Sequence, residues 1–367
     1  MNTQIQDKFT FKNGQTMRNR VVLAPMTICA SEPGGYVSQA DIDFFARRSR
    51  SVGMVITGST YVHPLGKSFA ESFSGAEDDK IEGLSRLAKA IKDQGALAIV
   101  QLYHGGRMVL PDLIDGQPVA PSAVKAPRDY LAEPRALKNA EVEQVIEDFL
   151  SAIRRAIQAG FDGVELHGAN TYLIQQFVSP HSNVRQDKWG GSLNNRLRFP
   201  KTLLKRAKQL VKEEADRPFL IGYRFSPEEI EEPGIQLYDT LQLLEQLIYH
   251  QVDYLHISTS DVWRSSIRDS QDSEPVIQKI IKKINGRVPL IGVGQIKTKQ
   301  DAQRVLDAGI PLFALGKALL LDPDWTEKVV SGREAEVIRT YRDELQADLA
   351  LPTAFVEDAR SYLEGKD

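Results

Sequence analysis

Residues 288–317, VPLIGVGQIKTKQDAQRVLDAGIPLFALGK, read as a strand (288–293), a helix (299–308) and a second strand (311–315). Both strands are apolar on both faces, which a strand tolerates only when it is covered on each side, as in a parallel sheet flanked by helices. Working outward, the same alternation recurs along the chain. Strand-like runs centre near 22, 54, 98, 164, 221, 255, 290 and 313, and helical spacing falls at 38–50, 79–94, 139–159, 196–214, 238–250 and 274–285. Eight strand–helix steps predict a (β/α)8 barrel of the TIM type rather than a doubly wound sheet. A hairpin over 8–17 precedes it, with Asn13-Gly14 expected to make a two-residue reversal. Long loops follow strand three (105–138) and strand four (168–195). No linker or repeat divides the chain, so residues 1–367 are expected to form one domain, with a helical C-terminal extension from about 324 to 367.

Composition narrows the function. The 367 residues carry a net charge of −3 and a pI near 6.1, which argues against a nucleic-acid or membrane-surface partner. One cysteine, Cys29, permits no intrachain disulfide and suits a cytoplasmic address. The polar N-terminus has no signal-peptide core, and no window approaches about 18 consecutive apolar residues. HExxH, CxxC and Walker patterns are absent, so no metal is expected.

Barrels of this type work at the C-terminal ends of their strands, and polar residues gather there. Pro25, Met26 and Thr27 follow strand one, Ser59 strand two, Gln101 and His104 strand three. His167, Asn170 and Tyr172 follow strand four, Arg224 ends strand five, and Gly292, Gly294, Gly316 and Lys317 close strands seven and eight. An imidazole and a carboxamide three residues apart can aim two donors at one oxygen, and a phenol of pKa about 10 can supply a proton. The glycines let backbone amides approach a phosphate, with Lys317 adding charge. Plainer roles compete: turn glycines, a structural His167, an inert Cys29, Gln101 in a satisfied polar layer, and Arg224 paired with Glu228 or Glu229. A non-redox aldolase or isomerase barrel would want a lysine or carboxylate at a strand end. Strand six ends Leu255-His256-Ile257-Ser258, and Glu165 lies one step inside strand four.

The segments NRVVLAPMT (19–27), VQLYHGGR (100–107), GVELHGANTYLIQQFVSPHSNVRQDKWGGSLNNRLRF (163–199), YRFSPEE (223–229) and ALGKALLLDP (314–323) resemble the Old Yellow Enzyme family across nearly the whole chain. The resemblance implies a TIM barrel binding FMN, with NADH or NADPH as hydride donor and an α,β-unsaturated carbonyl as acceptor. It implies that Ala24, Pro25, Met26 and Thr27 line the flavin. Ser59, Gln101 and Arg224 would meet its pyrimidine edge, and Gly294, Gly316 and Lys317 its phosphate. His167 and Asn170 would hold the substrate oxygen, with Tyr172 as proton donor. Four departures stand out. Lys317 replaces a frequent arginine, Asn170 gives a His/Asn pair, Thr27 replaces the thiol of one subgroup, and Cys29 stands near where that subgroup carries an active-site tyrosine. The expected partner is a small-molecule enone or quinone, the alternative activity a diaphorase acting on quinones or free flavin. Members range from monomers to tetramers, which leaves a homo-oligomer open.

Overall fold

The computed structural model describes residues 3–365. Eight parallel strands close into a barrel: β1 (Val21–Leu23), β2 (Met54–Tyr61), β3 (Leu97–Tyr103), β4 (Gly163–Gly168), β5 (Leu220–Phe225), β6 (Tyr254–Ile257), β7 (Leu290–Val293) and β8 (Leu312–Leu315). Each pairs with the next in sequence, and β8 pairs with β1. The connecting helices are α1 (Gln39–Ser49), α2 (Ile81–Asp93), α3 (Asn139–Gln158), α4 (Arg198–Glu214), α5 (Leu237–Tyr249), α6 (Val276–Ile284) and α7 (Lys299–Asp307). Local chemistry fixes their starts. Ser38 and Asp41 form a capping box for α1, and Thr298 with Asp301 does the same for α7.

Strand β1 ends at Leu23, so Pro25, which lacks the N–H needed to continue the ladder, follows it as expected. Two other elements differ from expectation. Strand β2 runs on to Tyr61 through a register shift between Ile56 and Ser59. The N-terminal hairpin pairs Phe9–Thr10 with Thr16–Met17, but its reversal is not the two-residue turn expected. Phe11 N–H bonds Gln15 carbonyl and Gly14 N–H bonds Phe11 carbonyl. Asn13 and Gly14 therefore end a three-residue loop, with Gly14 at φ 91 in its last position. Phe11 and Met17 from this hairpin pack with Met54, Ile99, Leu220, Tyr254 and Leu312, sealing the N-terminal end of the barrel interior.

The loop after β3 carries a short parallel pair, Val119–Ala120 with Arg135–Ala136. Arg185 ties it to the loop after β4 by donating to the carbonyls of Pro121 and Leu137 at 2.7 and 2.5 Å. The chain finishes in a helix, Thr353–Glu364, that packs beside the short helix Lys317–Leu321. Among the described residues, no helix is long and apolar enough to cross a membrane.

Candidate active site

Four consecutive strands bring buried polar side chains together in two adjacent register rows: Gln101 (β3) with Glu165 (β4), and Arg224 (β5) with His256 (β6). Gln101 Nε2 donates to Glu165 Oε1 at 2.8 Å, and Ser59 Oγ donates to Gln101 Oε1 at 3.2 Å. Glu165 Oε2 lies 2.9 Å from His256 Nδ1. That last bond spans from β4 to β6 across the lumen, past Gly222 of β5. A Cβ at Gly222 would fall 2.0 Å from the Tyr254 ring, so only glycine admits that packing.

Burial alone would raise the Glu165 carboxyl, but His256, Arg224 and Gln101 outweigh it and hold it below the ordinary value. Burial keeps His256 below its ordinary value, so it donates Nδ1–H to Glu165 as a neutral ring. Arg224 does not pair with Glu228 or Glu229. Glu228 accepts from Ser266 Oγ and Ile267 N–H, and Glu229 from Gln175 Nε2 and Ile235 N–H. The charge facing Arg224 is that of Glu165.

His167, near the end of β4, is register-paired with Arg224, and Asn170 and Tyr172 follow in the loop after the strand. His167 is 2% exposed, and its Nδ1 accepts the Ala169 N–H at 3.4 Å, which puts the ring proton on Nε2. Burial, aided by the charge of Arg224, holds the ring well below its ordinary pKa and so neutral. Tyr172 stands edge-on to His167 with ring centroids 4.9 Å apart, and Tyr103 and Phe69 enclose it at 5.2 and 6.5 Å. Burial pushes its phenol up to about 12 against the opposing charges of Arg224 and Arg128.

Between them, Asn170 and Thr171 both take left-handed backbone, φ 56 and 64. Such conformations cost about 1–3 kcal/mol each for non-glycine residues and persist where neighbours dictate them. The neighbours here are Ser226 Oγ, which accepts the Asn170 N–H, and Gln175 and Gln176, which bond the Thr171 N–H and carbonyl. Asn170 is exposed, and its Oδ1 accepts from Ser258 Oγ at 2.8 Å, leaving the Nδ2 donors free to point elsewhere.

The apolar side of the mouth is equally specific. A Cβ at Gly316 would come into ordinary contact with Met26 Sδ at 3.6 Å and Ala24 Cβ at 4.0 Å, so Gly316, Ala24 and Met26 lie together. Pro25 lies between the latter two. Thr27 Oγ1 accepts the Ser59 N–H at 3.0 Å, which leaves its own proton to donate. Gly294 is demanded by the loop after β6, since a Cβ would fall 2.7 Å from Asp261 N.

Lys317 also makes a contact that its neighbours in sequence did not announce. Its ammonium donates to the Tyr362 carbonyl and lies 4.5 Å over the Tyr362 ring, so in this structure it clasps the C-terminal helix. His104 is buried, accepts the Gly106 N–H at 3.1 Å and is pushed by burial down to about 3, which makes it structural. Cys29 is a half-buried free thiol raised by burial, then by Asp358 and Glu71, and so a poor nucleophile.

Sequence reasoning gave no role to His256 or Ser258. Glu165 and His167 share a strand face by their spacing of two, which was the available signal for Glu165. The pairing of His256 with Glu165, 91 positions apart, was not readable.

These residues suit FMN. Arg224 Nε and His256 Nε2 are buried without a hydrogen-bond partner among the described residues, on strands β5 and β6, and Ala24, Met26 and Gly316 lie together at the ends of β1 and β8. A flat ring with one polar, electron-accepting edge matches that division. A parallel barrel with such a mouth is the build of an FMN-dependent oxidoreductase.

The comparisons agree. Residues 7–336 match the model of the NADH:flavin oxidoreductase / NADH oxidase family, and the chain belongs to that family. It is 47% identical over 340 residues to NADH:fumarate oxidoreductase of Klebsiella pneumoniae (strain 342), covering 92% of this chain and 37% of that protein. The chain thus spans little more than a third of that relative's length. It is 45% identical over 332 residues to the probable NADH-dependent flavin oxidoreductase YqiG of Bacillus subtilis (strain 168), covering 90% of this chain and 89% of the relative. The solved Old Yellow Enzyme homologue from Zymomonas mobilis superposes with a TM-score of 0.79 at 26% identity, over 90% of this chain and 93% of the other. The family is FMN-dependent and uses NADH or NADPH, and the aldolase or isomerase reading falls with that membership.

Proposed function

We propose that the chain is an ene-reductase of this family, reducing a carbon–carbon double bond conjugated to a carbonyl or carboxylate. When bound, FMN supplies the redox chemistry, accepting a hydride from NADH or NADPH and giving one to the substrate β-carbon. The protein's share is to hold the substrate oxygen and to move one proton. His167 offers Nε2–H because Nδ1 is occupied by Ala169 N–H. Asn170 offers Nδ2–H because Ser258 holds its carbonyl. Two such donors stabilise the charge that develops on that oxygen, each contributing on the order of 10²–10³ in rate. Tyr172, with its phenol near 12, keeps its proton at neutral pH and is the donor to the α-carbon. Hydride and proton together saturate the bond.

Ala24, Pro25, Met26, Thr27, Ser59, Gln101, Arg224, Gly294, Gly316 and Lys317 are assigned to FMN. The proposal includes a cytoplasmic address, where reduced nicotinamide is supplied. Fumarate, named for one relative, is itself an α,β-unsaturated carboxylate and fits the substrate class.

The observation that carries the proposal is a neutral His167, with its proton on the far nitrogen, against a protonated Tyr172 at 4.9 Å. Titrating the FMN-loaded protein with a para-substituted phenol tests it. A new long-wavelength charge-transfer band is expected as the phenolate binds this pair, and flavin bands without it would count against the oxygen site. A second reading, a diaphorase passing electrons to a quinone or another flavin, is favoured by the description of the matched family, NADH:flavin oxidoreductase / NADH oxidase. Turnover with menadione far above that with 2-cyclohexenone would select it.

A further inference from the structure

The proposed chemistry uses neither Glu165 nor His256, yet both side chains are fully buried. Barrel interiors of this type are normally layered with Val, Ile and Leu, and a buried carboxylate is costly unless charge and hydrogen bonds compensate it. Here the compensation is complete on the carboxylate and incomplete around it. Glu165 Oε1 takes the Gln101 N–H and Oε2 takes the His256 N–H. Arg224 acts on it as a charge without direct contact. His256 Nε2 and Arg224 Nε are left with no partner among the described residues. The Gln101 amide has one orientation only, nitrogen toward Glu165 and oxygen toward Ser59. With His256 neutral, the layer holds one anion against one cation.

We propose that Glu165 and His256 are positioning residues that set the reduction potential of the bound flavin. They lock the Gln101 amide and offset part of the positive charge that Arg224 presents to it. The inference rests on the flavoenzyme reading above. An anion beside a group that gains electrons makes that gain harder, and a cation makes it easier. The dyad therefore decides how much of the Arg224 charge the flavin experiences. A neutral hydrogen-bonded layer of the same shape would hold Gln101 equally well but leave Arg224 unopposed.

The test is the two-electron midpoint potential of the FMN-loaded protein, measured anaerobically against a reference dye. Glu165→Gln keeps the shape and the acceptor for Gln101 while removing the charge. It is expected to favour reduced FMN by about tenfold, a shift of about 30 mV to more positive potential for a two-electron couple. His256→Leu strips a donor from Glu165, leaves its charge less screened and is expected to move the potential the other way. His256→Gln restores an N–H and is expected to return it to within about twofold of wild type. Should Glu165→Gln fail to fold, the two His256 variants decide alone. FMN-loaded variants with the wild-type potential would overturn the dyad and leave the flavoenzyme intact. Wild-type protein that takes up no FMN would overturn both.

Discussion

The two sides of the barrel lumen differ toward its mouth, above an apolar floor to which Ile99, Leu220 and Tyr254 of β3, β5 and β6 also contribute. Strands β1, β2, β7 and β8 turn Val22, Ala24, Met54, Ile56, Ile291, Leu312 and Ala314 inward, a wall with no polar side chain among those residues. Strands β3 to β6 turn Gln101, Glu165, Arg224 and His256 inward at the mouth. The backbone pairing is the same parallel ladder throughout, so the fold imposes neither pattern. The apolar half is what a stable barrel needs. The polar half is a cost that packing alone would not select, and it lies under the residues proposed to hold substrate.

The largest effect expected from breaking this contrast comes from His167→Ala combined with Asn170→Ala. Losing both donors should slow substrate reduction by about 10³-fold or more and abolish the phenolate charge-transfer band. An unchanged band would remove the pair from the oxygen site. Next is Arg224→Met, which turns one polar position into an apolar one and leaves Glu165 without its cation. Urea denaturation should show a loss of at least about 2 kcal/mol, below the ~3–5 kcal/mol of directly bonded buried pairs because these two charges do not touch. Ile56→Val on the opposite wall should cost only about 0.5–1.5 kcal/mol. Equal losses at the two sites would mean that the polar half carries no special electrostatic burden. Smaller again is Ser258→Ala, which frees the Asn170 amide to rotate. Loss of one hydrogen bond worth about 0.5–1.5 kcal/mol predicts up to about tenfold weaker phenol binding, read by the same titration.

A pH series sharpens the contrast without mutation. The Tyr172 phenol is raised to about 12 and His167 is held well below its ordinary value, both mainly by burial. Neither titrates between about pH 6 and 9. The rate of substrate reduction by pre-reduced enzyme should therefore be flat across that window. A step near pH 6.5 would show that His167 is solvated and charged.

The apolar half was readable from sequence because its signal is local. Runs such as LFAL at 312–315 announce a buried strand wherever they occur, and eight of them alternating with helices leave few topologies. Expectation failed where a bulge prolonged the ladder, as in β2, which runs past Ser59 to Tyr61, or where turn count decided, as at Asn13-Gly14. The polar half was readable only in part. His167, Asn170 and Tyr172 stand within six positions and could be seen together. Ser258 reaches Asn170 across 88 positions and His256 reaches Glu165 across 91, contacts that depend on β4 and β6 flanking β5 in the curved sheet. Lys317 could be seen as a charge beside a glycine, but its hold on Tyr362 depends on where the last helix packs.

The most direct test separates the two half-reactions of Tyr172→Phe in a stopped-flow instrument. Flavin reduction by NADH or NADPH should proceed at close to the wild-type rate, because the phenol donates only to substrate carbon. Reoxidation by an enone should slow by about 10²-fold or more, the usual contribution of a positioned acid. Equal slowing of both halves, or of neither, would contradict Tyr172 as the proton donor.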